Sequence, residues 1–129
     1  NNPGIILTDY ISETLKSTLY LNALYLLSPS IIEGFGIPVL DACCLGLPCV
    51  ASDCLSHKEI QELYDFDSYL ELFSPQSEIQ WTNVFLNRGY INILDPEQKR
   101  LNRIKRYKEM SNKILETFSN QLSRFYSEL

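Results

Sequence analysis

The sequence predicts an α/β domain: a parallel sheet flanked by helices. Short apolar runs recur along the chain, each too short for a helix. Segments with helical caps or helical spacing separate them, and turns of Ser, Gly, Pro or Asp close them. With 129 residues the chain has room for one hydrophobic core and not two.

Taken in order, Ile5-Ile6-Leu7 reads as a strand buried on both faces and closed by Thr8-Asp9. Ser12 is a candidate N-cap, and Leu15 and Leu19 recur at helical spacing, so a helix is expected over about 13–23. Leu24 to Leu27 is the next strand, stopped by Ser28-Pro29-Ser30, and the three pieces together form a βαβ unit. A turn with two glycines follows, Glu33-Gly34-Phe35-Gly36. Pro38 then opens a short helix over about 38–45, and Gly46 suits the left-handed residue beyond its end. Cys49-Val50-Ala51 is a third buried strand. Ser56-His57-Lys58-Glu59 reads as a capping box opening another helix. Tyr69 to Phe73 is a fourth strand interrupted by Glu71, and Ser77 to Arg88 is amphipathic. Asp95-Pro96-Glu97-Gln98 starts the helical remainder, one or two helices with apolar positions at Leu101, Ile104, Tyr107, Met110, Ile114 and Phe118.

Composition excludes several classes. Sixteen acidic and eleven basic side chains leave a net charge of −5, which repels polyphosphate backbones and argues against nucleic acid as a partner. The longest apolar stretch, Leu19 to Leu27, is broken by Asn22 and falls short of the roughly 18 to 20 residues that cross a bilayer. No initiator Met or basic leader opens the chain, which predicts part of a longer protein without a signal peptide. Cys43, Cys44, Cys49 and Cys54 crowd into an apolar segment and match neither zinc nor redox spacing. They are expected to be reduced core filler in a cytoplasmic protein. Nine of the eleven basic residues lie between Arg88 and Arg124. The cluster Lys99, Arg100, Arg103, Lys105, Arg106 and Lys108 alternates with Glu97 and Glu109 and reads as a solvated face, with a membrane-surface or partner-binding face as the other reading.

The chemistry concentrates at the glycine turn. Glycines let a ligand approach the backbone closely, and the free N–H groups at a helix start attract an anion. Parallel sheets bind ligands at the carboxyl ends of their strands, where this turn lies. Glu33 stands at the mouth, and Asp41 follows after seven intervening residues; placed in the first turn of the helix, it reaches the same cleft. Two ionised carboxylates there suit neighbouring hydroxyl groups, which they hold as charge-assisted acceptors.

The run Pro29-Ser30-Ile31-Ile32-Glu33-Gly34-Phe35-Gly36-Ile37-Pro38-Val39-Leu40-Asp41-Ala42, followed by Gly46-Leu47-Pro48-Cys49-Val50-Ala51-Ser52-Asp53, resembles the donor-binding signature of family 4 retaining glycosyltransferases of the GT-B fold. Ile5 to Leu27 is similar to the family's preceding strand-helix-strand, Glu59 to a later acidic position, and Phe118-Ser119 with Phe125 to Leu129 to its closing helix. The resemblance implies that residues 1–129 form part of a Rossmann-like C-terminal nucleotide-sugar-binding domain, with the acceptor domain elsewhere. It implies transfer of a sugar from a nucleotide-diphosphate donor, with retention, to a glycan, lipid or protein acceptor, and no metal or other cofactor. It places Glu33 on the donor sugar as the catalytic carboxylate. Gly34, Phe35, Gly36 and Ile37 lie along sugar and phosphate, and Asp41 meets the ribose. The family usually carries Glu at Asp41, and its diphosphate-gripping Arg and Lys precede the equivalent of Ile5, so turnover by this chain alone is not expected. The alternative is a non-catalytic sugar- or nucleotide-binding module of the same fold. A dinucleotide-binding domain is disfavoured, because Gly-Phe-Gly lacks the third glycine of that fingerprint.

Four other side chains need a role. His57 is expected at the surface or at a helix start. Ser52 and Ser56 show no triad spacing. Trp81, at helical spacing with Phe85, is expected to pack.

Overall fold

The computed structural model describes residues 4–64, 66, 68–87 and 96–127. Helix α1 (Glu13–Asn22) leads to strand β1 (Leu26–Ser28), α2 (Ile37–Leu45), β2 (Cys49–Ser52), α3 (Leu55–Tyr64), β3 (Leu70–Phe73), α4 (Glu78–Asn87) and the 32-residue α5 (Pro96–Ser127). The three strands form one parallel sheet in the order β1-β2-β3, with Leu26 opposite Cys49 and Cys49 opposite Leu70. The α/β class and the flanked parallel sheet are therefore as the sequence predicts. All four residues of the central strand β2 are buried. Cys49 and Ala51 join a core with Val39, Ala42, Cys43, Leu47, Ile60, Phe66, Leu70 and Met110, and Val50 and Ser52 alternate onto the opposite face. Among the described residues no helix is long and apolar enough to cross a membrane.

Local chemistry explains the element ends. Ser12 caps α1, its side chain accepting from the Leu15 N–H at 3.2 Å. Helix α2 ends in a Schellman motif: the Leu47 N–H reaches the Ala42 carbonyl at 2.9 Å and the Gly46 N–H the Cys43 carbonyl at 3.0 Å, with Gly46 at φ +68°. Trp81 packs edge-on against Phe73 and donates its indole N–H to the Ser74 carbonyl at 3.0 Å. Cys43, Cys44 and Cys49 are buried free thiols. Burial pushes Cys44 up to about 11 and Cys49 up to about 12, so they stay protonated filler rather than nucleophiles.

Several expectations are corrected. Ile5-Ile6-Leu7 is not a strand; its side chains are 64 to 91% exposed, and β1 pairs with β2 alone. An apolar run carries strand propensity but does not specify a sheet neighbour. β1 begins at Leu26 rather than Leu24, and β3 at Leu70 rather than Tyr69. The capping box at Ser56 does not form: α3 starts at Leu55, so Ser56 lies inside the helix and its hydroxyl bonds elsewhere. The expected start at Asp95 and end at Arg88 lie outside the described residues.

The larger correction concerns the basic cluster, part of which faces inward. Arg103 is only 5% exposed, and its Nη1 donates to the carbonyls of Tyr20, Leu21 and Ala23 at 2.8 to 3.0 Å. Lys99 reaches the Ala23 carbonyl, and Arg100 the Asn22 side chain. Arg106 lies 4.1 Å over the Tyr69 ring and its Nε contacts the Cys43 carbonyl at 3.4 Å. The unpaired carbonyls and negative dipole at a helix C-terminus attract cations, and neither α1 nor α2 has one in its own last turn. Helix α5 supplies them through a stripe at Lys99, Arg103, Arg106, Met110 and Ile114, whereas Leu101, Ile104, Tyr107 and Phe118 remain 40 to 58% exposed. Replacing Arg103 by Ala is expected to cost about 2 to 3 kcal/mol, from charge-assisted bonds lost and carbonyls stranded. Urea unfolding measures this; Arg103→Lys should recover part of the loss, and Arg100→Ala should change stability far less.

Candidate functional site

The glycine turn follows β1, and the β2–α3 connection follows β2, so both lie at the carboxyl edge of the sheet. Two side chains, one from β2 and one from α3, bond to the turn, and a third packs beneath it. Ser52, fully buried, donates its hydroxyl to the Ser30 carbonyl. Ser56 donates to the carbonyls of Glu33 at 2.9 Å and Gly34 at 3.1 Å. His57, expected at the surface or at a helix start, lies in the first turn of α3 and is fully buried; its Nδ1 is 2.8 Å from the Ser52 carbonyl, which only an N–H can satisfy, so the proton sits on Nδ1. Its Nε2 is buried without a partner among the described residues.

The two glycines have different reasons to be glycine. Gly36 caps α2 at φ +73°, and a Cβ there would meet the His57 ring at 3.0 Å and Ile60 at 3.1 Å. A Cβ on Gly34 would meet nothing within 4 Å. No side chain caps α2, and among the described residues none accepts a hydrogen bond from the backbone N–H of Gly34, Phe35, Gly36 or Ile37. Pro38 is the second residue of α2, where its missing N–H costs nothing.

The carboxylates are not placed as expected. Asp41 is the fifth residue of α2, beyond its first turn. It lines a cavity of about 300 Å³ with Glu13, Lys16, Tyr20, Tyr107 and Lys108. Its Oδ2 is 4.0 Å from Lys16 Nζ, which also pairs with Glu13 at 2.7 Å, so Lys16 is not a free, solvated side chain. Burial holds the Asp41 carboxyl above the usual carboxylate range, with Lys16 opposing. Glu33 is partly exposed, with its carbonyl on Ser56, and lines neither the Asp41 cavity nor the apolar groove of about 230 Å³ beside Phe35. In that groove Phe35 meets Leu40, Leu63, Tyr64 and the α5 residues Ile114 and Phe118. The spacing of Glu33 and Asp41 does not bring the two acids into one described cavity. Sequence spacing also misses Ser56 and His57, whose signal was their position on the neighbouring strand-to-helix connection at the same sheet edge. Among the described residues no three metal-ligating side chains converge.

A family model described as Glycosyl transferases group 1 matches residues 1–70, more than half the chain and all of the glycine turn. Neither the curated proteins nor the solved structures yield a match.

Two outcomes follow from this geometry. Gly36→Ala should lower the melting temperature, since a left-handed Ala costs roughly 1 to 2 kcal/mol before any contact with His57; Gly34→Ala should melt like the wild type. For Asp41 the folded carboxyl is raised above its unfolded value of 3.8. The stability it contributes is present below that value and lost as pH rises through the folded value. Asp41→Asn should therefore raise the melting temperature at pH 7, with the gain vanishing toward pH 3.5 in a melting series.

Proposed function

Because the chain belongs to the group 1 glycosyl transferases, we propose that it forms part of the donor site of a retaining enzyme that uses a nucleotide-diphosphate sugar. The observation that carries this reading is the row of backbone N–H groups from Gly34 to Ile37, at the start of α2, that meet no acceptor among the described residues. An anion is the ligand such a row favours, and a sugar diphosphate brings one together with hydroxyls for Glu33.

In the mechanism we propose, the sugar–phosphate bond breaks with the electron pair leaving on the diphosphate. Negative charge grows there during the step, and fixed N–H donors and the positive end of α2 stabilise it more than they stabilise the bound donor. Glu33 holds the donor sugar by its hydroxyls. Asp41 and the cavity between α1, α2 and α5 take the ribose side of the nucleotide, Lys16 keeping Asp41 charged beside it. In this reading the acceptor domain and the family's diphosphate-gripping Arg and Lys come from residues outside the chain, and the chain alone does not turn over. The acceptor class, glycan, lipid or protein, belongs to that other domain.

Calorimetric titration with UDP-glucose and GDP-mannose tests the site. Glu33→Ala should weaken binding of the preferred donor by about 10- to 100-fold, as expected for a lost charge-assisted bond, and Asp41→Ala by less. Unchanged affinity in both variants would remove the site assignment.

A further inference from the structure

The glycine turn is held by its carbonyls, and this determines where its amides point. Every described peptide bond is trans. In a trans peptide the C=O of one residue and the N–H of the next point in opposite directions. The carbonyls of Glu33 and Gly34 both point to the Ser56 hydroxyl on α3. The N–H groups of Gly34 and Phe35 therefore both point away from the Ser56 hydroxyl, toward the open side of the turn. Neither finds an acceptor among the described residues. Ser52 acts in the same sense one step earlier, drawing the Ser30 carbonyl inward and turning the Ile31 N–H outward.

We infer that Ser56 is a positioning residue for the diphosphate site: its single hydroxyl proton, shared between two carbonyls, keeps the amides of Gly34 and Phe35 turned outward, where a bound phosphate can reach them. The inference rests on the donor-site reading above and adds a residue that contacts no ligand. The reasoning is one of orientation. A peptide plane free to rotate spreads its N–H over many directions, and an amide pair fixed in advance binds an anion without that ordering cost. A hydroxyl suits this role because it donates one proton that two carbonyls can share, and it is short enough to anchor the turn to the first turn of α3. Gly34 permits it sterically, with open space where a Cβ would be. His57 completes the support. Its ring lies against Gly36, held by the Ser52 carbonyl, so the turn has a rigid floor on one side and is open on the other.

The test uses the 15N-labelled chain titrated with inorganic pyrophosphate, following the amide resonances of Gly34 and Phe35. In the wild type both should shift with saturation. Ser56→Ala should weaken pyrophosphate binding about fivefold or more, the effect of one lost hydrogen bond. Ser56→Thr, which keeps the hydroxyl, should restore it, while the melting temperatures of all three stay within a few degrees. A purely structural role for Ser56 would move melting and leave the affinity ratio unchanged. If Ser56→Ala fails to fold, Ser56→Cys fills nearly the same volume with a weak donor and takes its place, with the same expected loss. Silent Gly34 and Phe35 amides in the wild type, or unweakened binding in the alanine or cysteine variant, would overturn the inference. The donor reading fails separately: pyrophosphate would still shift these amides, but neither UDP-glucose nor GDP-mannose would bind.

Discussion

The fold depends on one long-range interaction, the capture of helix C-termini by cations on α5. Helix α1 has no fully buried residue, so apolar burial alone does not dock it. Its last carbonyls instead converge on Arg103 and Lys99, about eighty residues away in sequence. Among the described residues no carboxylate pairs with Arg103; carbonyl dipoles balance the charge, and burial lowers its pKa only from a very high starting value. The arrangement satisfies both partners: buried carbonyls need donors, and a buried guanidinium needs acceptors. One turn further along α5, Arg106 does the same for the end of α2, where Gly46 leaves room for its side chain. A Cβ there would stand 2.8 Å from the Arg106 stem.

Helix α2 is consequently held at both ends by different means. Its C-terminus is gripped through charge and a Schellman turn. Its N-terminus carries no side-chain cap and is positioned through the turn before it, which Ser52 and Ser56 tether to the next strand and helix and beneath which His57 packs. Holding a helix at its C-terminus while its N-terminal amides meet no acceptor among the described residues leaves the positive end of the dipole uncompensated. Within the same helix, burial works against the charged form of Asp41 and Lys16 only partly compensates.

Much of this was legible in the order of residues. Ser12 as a cap, Pro38 near a helix start, Gly46 past its end, and Cys49 to Ala51 as a buried central strand all rest on interactions within about five residues, which local spacing encodes. The glycine turn was legible for the same reason. Ile5 to Leu7 was misread because an apolar run does not name its neighbour. Ser56 and Glu59 had the pattern of a capping box, yet the helix began at Leu55, two residues earlier than a Ser56 cap requires, and released the serine for the turn across the sheet edge. Arg103 read as solvated because charge alternation with Glu97 and Glu109 is the usual mark of a wet surface, and nothing nearby reveals that carbonyls eighty residues upstream await it.

The sequence by itself determined the class of fold, the cap at Ser12 and the turns around α2, because each depends on short-range sterics and hydrogen bonding. Tertiary structure alone decided which carbonyls the arginines satisfy, that Asp41 faces the α1–α5 side, that His57 is buried beneath Gly36, and which way the turn's amides point. Those outcomes depend on groups far apart in the chain meeting at short distance, and a one-dimensional pattern records the presence of donors and acceptors without recording who meets whom.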